Sequence, residues 1–194
     1  MFRTRRLVWA LALVAPVLFQ AGPVSAADLV PPPPPDARCS SNPAGTVCFF
    51  SRSLEFVDEP LFGADGAPMS CGSSQLVENG TLGLDVKRTY DAGGALITAQ
   101  RHFNEPRNSF TIGNPATGKT LSNPGHWTET FDFTAPSTLT ITGNFFQVTA
   151  PHMGAIYFDV GRIVFPVEGP ALFEAGPKFF FDNGSLAAVC TALT

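Results

Sequence analysis

Three charged side chains fall where the sequence pattern asks for apolar ones: Arg88, Arg101 and Glu129. A charge carried onto an apolar face costs several kcal/mol unless it finds a partner or reaches water. Glu129 could pair with one arginine and so satisfy the core. Alternatively, the three groups converge with Tyr90, Phe103, Trp127 and Phe131 at the mouth of a small-ligand site. Apolar walls with a few polar groups characterise such sites, and an arginine left over from the pair would grip a carboxylate through two parallel hydrogen bonds. Those seven residues are the candidate ligand-binding set.

Other chemistries find less support. Gly113-Asn114-Pro115-Ala116-Thr117-Gly118-Lys119-Thr120 has the letters of a phosphate-binding P-loop. That chemistry needs a buried strand before the loop and a helix after it, with amides aimed at the phosphates. Asn123-Pro124-Gly125 breaks any helix within a turn, so the segment is expected to be a turn between strands and no nucleotide is expected. His102 with Glu105, and His126 with Glu129, have the spacing of metal ligands on a helix, but on a strand residues i and i+3 point to opposite faces. No Gly-x-Ser-x-Gly elbow is present, so no catalytic residue, metal or cofactor is assigned.

The element that must position these residues is Thr81 to Phe103, two alternating runs joined at Asp91-Ala92-Gly93-Gly94. Pairing Tyr90 with Ala95 puts Leu82, Leu84, Val86, Arg88 and Tyr90 on one face with Ile97, Ala99, Arg101 and Phe103. Alternation that stays in phase across a glycine turn predicts an antiparallel hairpin with one buried face. Trp127 to Phe133 alternates likewise, with Trp127, Glu129, Phe131 and Phe133 on one face. Further short strands are expected over 46–56, 109–112, 138–142, 145–149, 155–160, 162–165 and 172–174, with a short helix over 185–193. Roughly nine strands at this spacing predict an all-β fold, an antiparallel up-and-down β-barrel in preference to a β-sandwich.

Composition bounds the setting. Arg3, Arg5 and Arg6 precede an apolar run from Leu7 to Phe19, and Val24-Ser25-Ala26 supplies a small-residue cleavage pattern. Residues 1–26 therefore read as a signal peptide cleaved near Ala26, on a secreted protein without a membrane span. Removing its three arginines leaves 9 basic against 16 acidic residues, a balance that argues against nucleic acid as a partner. Pro31 to Pro35 make residues 27–45 an extended or disordered tether, followed by a single domain over 46–194. Four cysteines in an oxidising compartment suggest two disulfides, with Cys39–Cys48 and Cys71–Cys190 preferred among three connectivities.

Cys71-Gly72, Arg101-His102, Asn114-Pro115 with Thr117-Gly118-Lys119, Gly161-Arg162-Ile163 and Ala175-Gly176-Pro177 give the chain a resemblance from Cys71 onward. It resembles a family of small exported proteins of high-GC Gram-positive, actinobacterial-type bacteria, and that resemblance implies no particular activity. The leading expectation is a secreted, non-enzymatic β-barrel protein that binds a small apolar or amphipathic ligand. A structural or cell-envelope interaction protein without a pocket comes second, and a barrel-type cyclase or hydrolase third.

Overall fold

The computed structural model describes residues 28–105, 109–182 and 184–194. The leader read from residues 1–26 lies outside them. The fold is antiparallel β throughout, apart from isolated bridges, with one short C-terminal helix. Strands β1 (Arg38–Asn42) and β2 (Gly45–Pro60) form a hairpin in which Cys39 faces Cys48, and the disulfide joins that pair at a Cα separation of 4.0 Å. After the two-residue strands β3 (Ser70–Cys71) and β4 (Ser74–Gln75) come the central pair, β5 (Val77–Tyr90) and β6 (Leu96–Asn104). Next are β7 (Phe110–Asn114), β8 (Lys119–Ser122), β9 (His126–Asp132), β10 (Thr138–Ala150), β11 (Gly154–Pro166), β12 (Phe173–Ala175) and helix α1 (Ala187–Leu193).

The central hairpin keeps its expected faces but not its expected register. Leu84 pairs with Phe103, Val86 with Arg101 and Arg88 with Ala99, while Tyr90 meets Leu96 rather than Ala95. The turn explains the difference. The Asp91 carboxylate accepts the N–H groups of Gly93 and Ala95, and the Asp91 N–H bonds the Ala95 carbonyl. Ala95 is thereby held in the turn, and the register shift between Thr89 and Tyr90 restores the alternation.

Two long strands change partners along their length. β5 pairs with β6 over 83–90 and with β7 over 77–80; β10 pairs with β9 over 138–144 and touches β8 at Thr149. With the β7–β8 hairpin this closes six strands into a ring, β5-β6-β9-β10-β8-β7. Closure through the single pair Thr149–Ser122 places the ring between a barrel and a sandwich. Gly80 marks the switch on β5: its φ is +144°, and a Cβ there would lie 2.0 Å from the Ser109 carbonyl oxygen. On β10 a bulge between Asn144 and Phe146 lets one strand run where the sequence pattern suggested two. It turns Phe146, Val148 and Ala150 toward the core.

One half of the ring is filled. Leu76, Ile112, Leu121, Phe146, Val148 and Tyr157 pack together there, closed by Val189 and Leu193 of α1. The Cys71–Cys190 disulfide ties the helix to the start of this core. At the other end, Leu29 lies buried against Cys48 and Tyr90. The Val30 N–H bonds the Gly94 carbonyl, and the Tyr90 hydroxyl donates to the Pro31 carbonyl at 2.9 Å. Residues 29–31, within the stretch read as a tether, thus pack on the hairpin turn. Among the described residues no helix is long and apolar enough to cross a membrane.

Candidate functional site

The register of β6, β9 and β10 assembles most of the candidate residues on the inner face. Phe103 sits opposite Trp127, Arg101 opposite Glu129, and Ala99 opposite Phe131. Phe103 and Trp127 stack with ring centroids 4.4 Å apart, and the indole N–H donates to Glu129 at 3.3 Å. The Arg101 guanidinium stands 4.8 Å above the Phe131 ring and 3.7 Å from the other Glu129 oxygen. That ion pair is long, and Arg101 keeps 48% of its side chain exposed. Beside it, Phe131, Phe133, Leu139, Phe165 and Val167 line an apolar cleft of about 240 Å³.

Arg88 and Tyr90 belong to a neighbouring cluster. Tyr90 is sealed in the interior by Leu29 and Cys48. Arg88 donates to the Pro32 carbonyl and lies 5.3 Å from the Phe50 ring, which Arg52 approaches to 5.1 Å. Arg52 holds Asp36 through two hydrogen bonds, which lower the Asp36 pKa from its ordinary value. Around Phe50 and Phe131, three guanidiniums (Arg52, Arg88, Arg101) therefore face two carboxylates (Asp36, Glu129). That cluster carries one surplus positive charge.

The burial of two acids, Glu105 and Asp159, and the partial burial of a third, Glu78, escaped the sequence reading. Glu78 and Glu105 lie in phase with Leu82 and Phe103, so extending the alternation by two or four residues would have found them. Burial pushes the Glu105 pKa up to about 8, helped by the charge of Glu78; burial and then Glu59 push Glu78 to about 7. One Glu105 oxygen has no hydrogen-bond partner. Asp159 is fully buried and raised to about 7, chiefly by burial; its Oδ2 accepts the Phe180 N–H at 2.9 Å. With the Tyr157 hydroxyl on the Phe179 carbonyl, it fastens the loop before α1.

His102 and His126 project from the outer face, opposite to Glu105 and Glu129, and no cluster of three or more metal-ligating side chains occurs among the described residues. The P-loop-like segment is the turn between β7 and β8. Asn114 closes it, its carbonyl accepting the N–H groups of Thr117 and Gly118 and its side chain that of Ala116.

The same strands present a different surface outward. A trough of about 710 Å³ crosses β2, β5, β6 and β9, lined by Phe49, Ser51, Asp85, Lys87, Gln100, His102 and Thr128, with Asp36 and Arg38 at one end. The sequence reading missed it because the residues between the apolar positions carried no recognised motif. The regular polar alternation of 85, 87, 100, 102 and 128 was the available signal. Comparison with family models, curated proteins and solved structures finds no match.

Proposed function

We propose that this chain is an exported, non-enzymatic binding domain that takes a small amphipathic ligand with one negative charge. The observation that carries the reading is the half-exposed Arg101 guanidinium, poised over Phe131 at the rim of the apolar cleft. A carboxylate there would displace a long ion pair and meet the surplus positive charge, while a short acyl or aryl group enters between Phe133, Leu139 and Phe165. At about 240 Å³ the cleft falls below the usual drug-sized range of about 300–1,000 Å³, which favours a short apolar group. Two disulfides fit an oxidising extracellular setting.

The test is titration with octanoate, followed by calorimetry and by the resonances of Phe131 and Leu139. Arg101→Leu is expected to weaken octanoate roughly ten-fold or more, the scale of one charge-assisted hydrogen bond, with the unfolding midpoint unchanged. Arg88→Leu, on β5 and so one strand further from the cleft than Arg101 on β6, should weaken it less. Unchanged affinity in Arg101→Leu would overturn the reading. A ligand-free structural role in the cell envelope is the second reading, favoured by the filled half of the ring and by Glu129 standing within reach of Arg101. On that reading octanoate leaves both resonances unmoved, and native mass spectrometry of the secreted protein shows no added mass.

A further inference from the structure

We infer that the outer trough is a second binding site, built for a neutral oligosaccharide laid across the strands. Two rows of side chains cross the sheet there: Phe49, Lys87, Gln100 and Thr130 in one, Ser51, Asp85, His102 and Thr128 in the next. Neighbouring strands lie about 4.8 Å apart, close to the length of one pyranose ring, so each sugar of a chain crossing the sheet meets a fresh pair of side chains.

The chemistry of the rows suits hydroxyl groups. Amide, imidazole, hydroxyl, ammonium and carboxylate groups alternate, offering donors and acceptors in adjacent positions. Some are already oriented: Ser51 donates to Asp85 at 2.5 Å, and His102 and Thr128 share a hydrogen bond of 3.1 Å. Phe49, 52% exposed, supplies a flat apolar platform at one end, with the Lys87 ammonium 6.0 Å from its ring centre. An exposed aromatic ring beside polar groups matches a sugar, which has an apolar face and a hydroxyl rim. Asp36 is already held by Arg52, so Arg38 and Lys87 against Asp85 leave one positive charge over among rows that are mostly uncharged amide, ring and hydroxyl groups, little to hold an anionic chain. The inner-face cleft has the opposite character, which makes the two sites independent.

The experiment is a nuclear magnetic resonance titration of the full mature chain. The probes are the neutral pentasaccharides of chitin, cellulose, starch and mannan, with pentagalacturonate as the acidic control. At millimolar concentration at least one neutral probe should shift the amides of Lys87, Gln100, His102 and Thr128 and leave those of Phe131 and Leu139 in place. Phe49→Ala and Gln100→Ala alter exposed side chains, and each should weaken binding roughly ten-fold with the circular dichroism spectrum unchanged. The proposal fails if no neutral probe moves those amides, if only pentagalacturonate does, or if binding survives both substitutions. Octanoate binding is unaffected by any of these results.

Discussion

Replacing Glu105 by glutamine should make the protein more stable at neutral pH and flatten its response to acid. Glu105 is buried beside Gly125, whose Cβ position lies only 3.3 Å from its carboxyl carbon, and one of its oxygens has no partner. Burial, with the charge of Glu78, raises its pKa from 4.5 to about 8. Below the unfolded value both states hold the proton and the group has no effect on stability. Between that value and about 8 only the folded state keeps it, so stability falls as pH rises. The slope is about 1.4 kcal/mol per pH unit, or about 2.7 kcal/mol between pH 5 and pH 7 as the ceiling for this one group. Above the folded value both states are ionised and the penalty is constant.

Glutamine has the shape of the protonated acid and keeps an oxygen for the Gly125 N–H, so Glu105→Gln removes the penalty without opening a cavity. Urea unfolding at several values between pH 5 and pH 7 measures both slopes, and the gap between them is expected to widen steadily with pH by up to the amount above. Glu78 and Asp159, each raised to about 7, remain in both proteins and keep some slope in the variant. Parallel stability curves for the two proteins would refute the assignment of a buried proton to Glu105.

The two disulfides should differ in worth. Their sequence separations of 119 and 9 residues correspond to roughly 4.9 and 2.6 kcal/mol of lost chain entropy, so Cys71→Ala/Cys190→Ala is expected to cost about 2 kcal/mol more than Cys39→Ala/Cys48→Ala in denaturant. Tyr90→Phe removes the hydroxyl that holds the Pro31 carbonyl, and should cost about 1 kcal/mol; hydrogen exchange at Val30 would report the loosened segment. Gly80→Ala sets a Cβ against the Ser109 carbonyl at a backbone angle that side chains avoid, and is expected to cost at least about 3 kcal/mol, with the β5–β7 pairing the first to lose its protected amides.

What the sequence disclosed was local. Leu84, Val86, Arg88, Ala99, Arg101 and Phe103 show their shared face by alternation alone, because a strand's period is two and a hairpin turn preserves it. The cysteine pairing was legible for a related reason: Cys39 and Cys48 flank a turn, which leaves the other two for each other. Partner switching was not legible. The closing pair Thr149–Ser122 joins strands 27 residues apart in the chain, and β8 is four residues with one buried side chain, too short to show a period. The bulge at Phe145 hid β10 as a single strand by reversing its phase halfway along. In the candidate site, Arg101, Glu129, Trp127 and Phe131 were foreseeable as a group because they share three adjacent rows. Tyr90 and Arg88 shared that face too, but residues 29–32 pack over them, and a proline run gives no pattern from which such packing could be read.

The division of labour follows from the partner switches. Up to Gly80 on β5 and beyond the bulge on β10, the strands take β7 and β8 as partners and bury Ile112, Leu121, Phe146 and Val148 under α1. On the other side of those points the sheet keeps large side chains at its surface, with Arg101 on β6 half exposed on one face and Phe49 on β2 half exposed on the other. Stability is thus concentrated in one half, which frees the other to carry charges and rings that a core would reject. Alternation then gives that half two unlike surfaces, an arginine-rich aromatic face and a polar one of mixed charge. A one-residue slip of β6 against β5 would turn Arg101 and Phe103 outward and Gln100 and His102 inward, so the Asp91 turn, which sets that register, bears on both candidate sites at once.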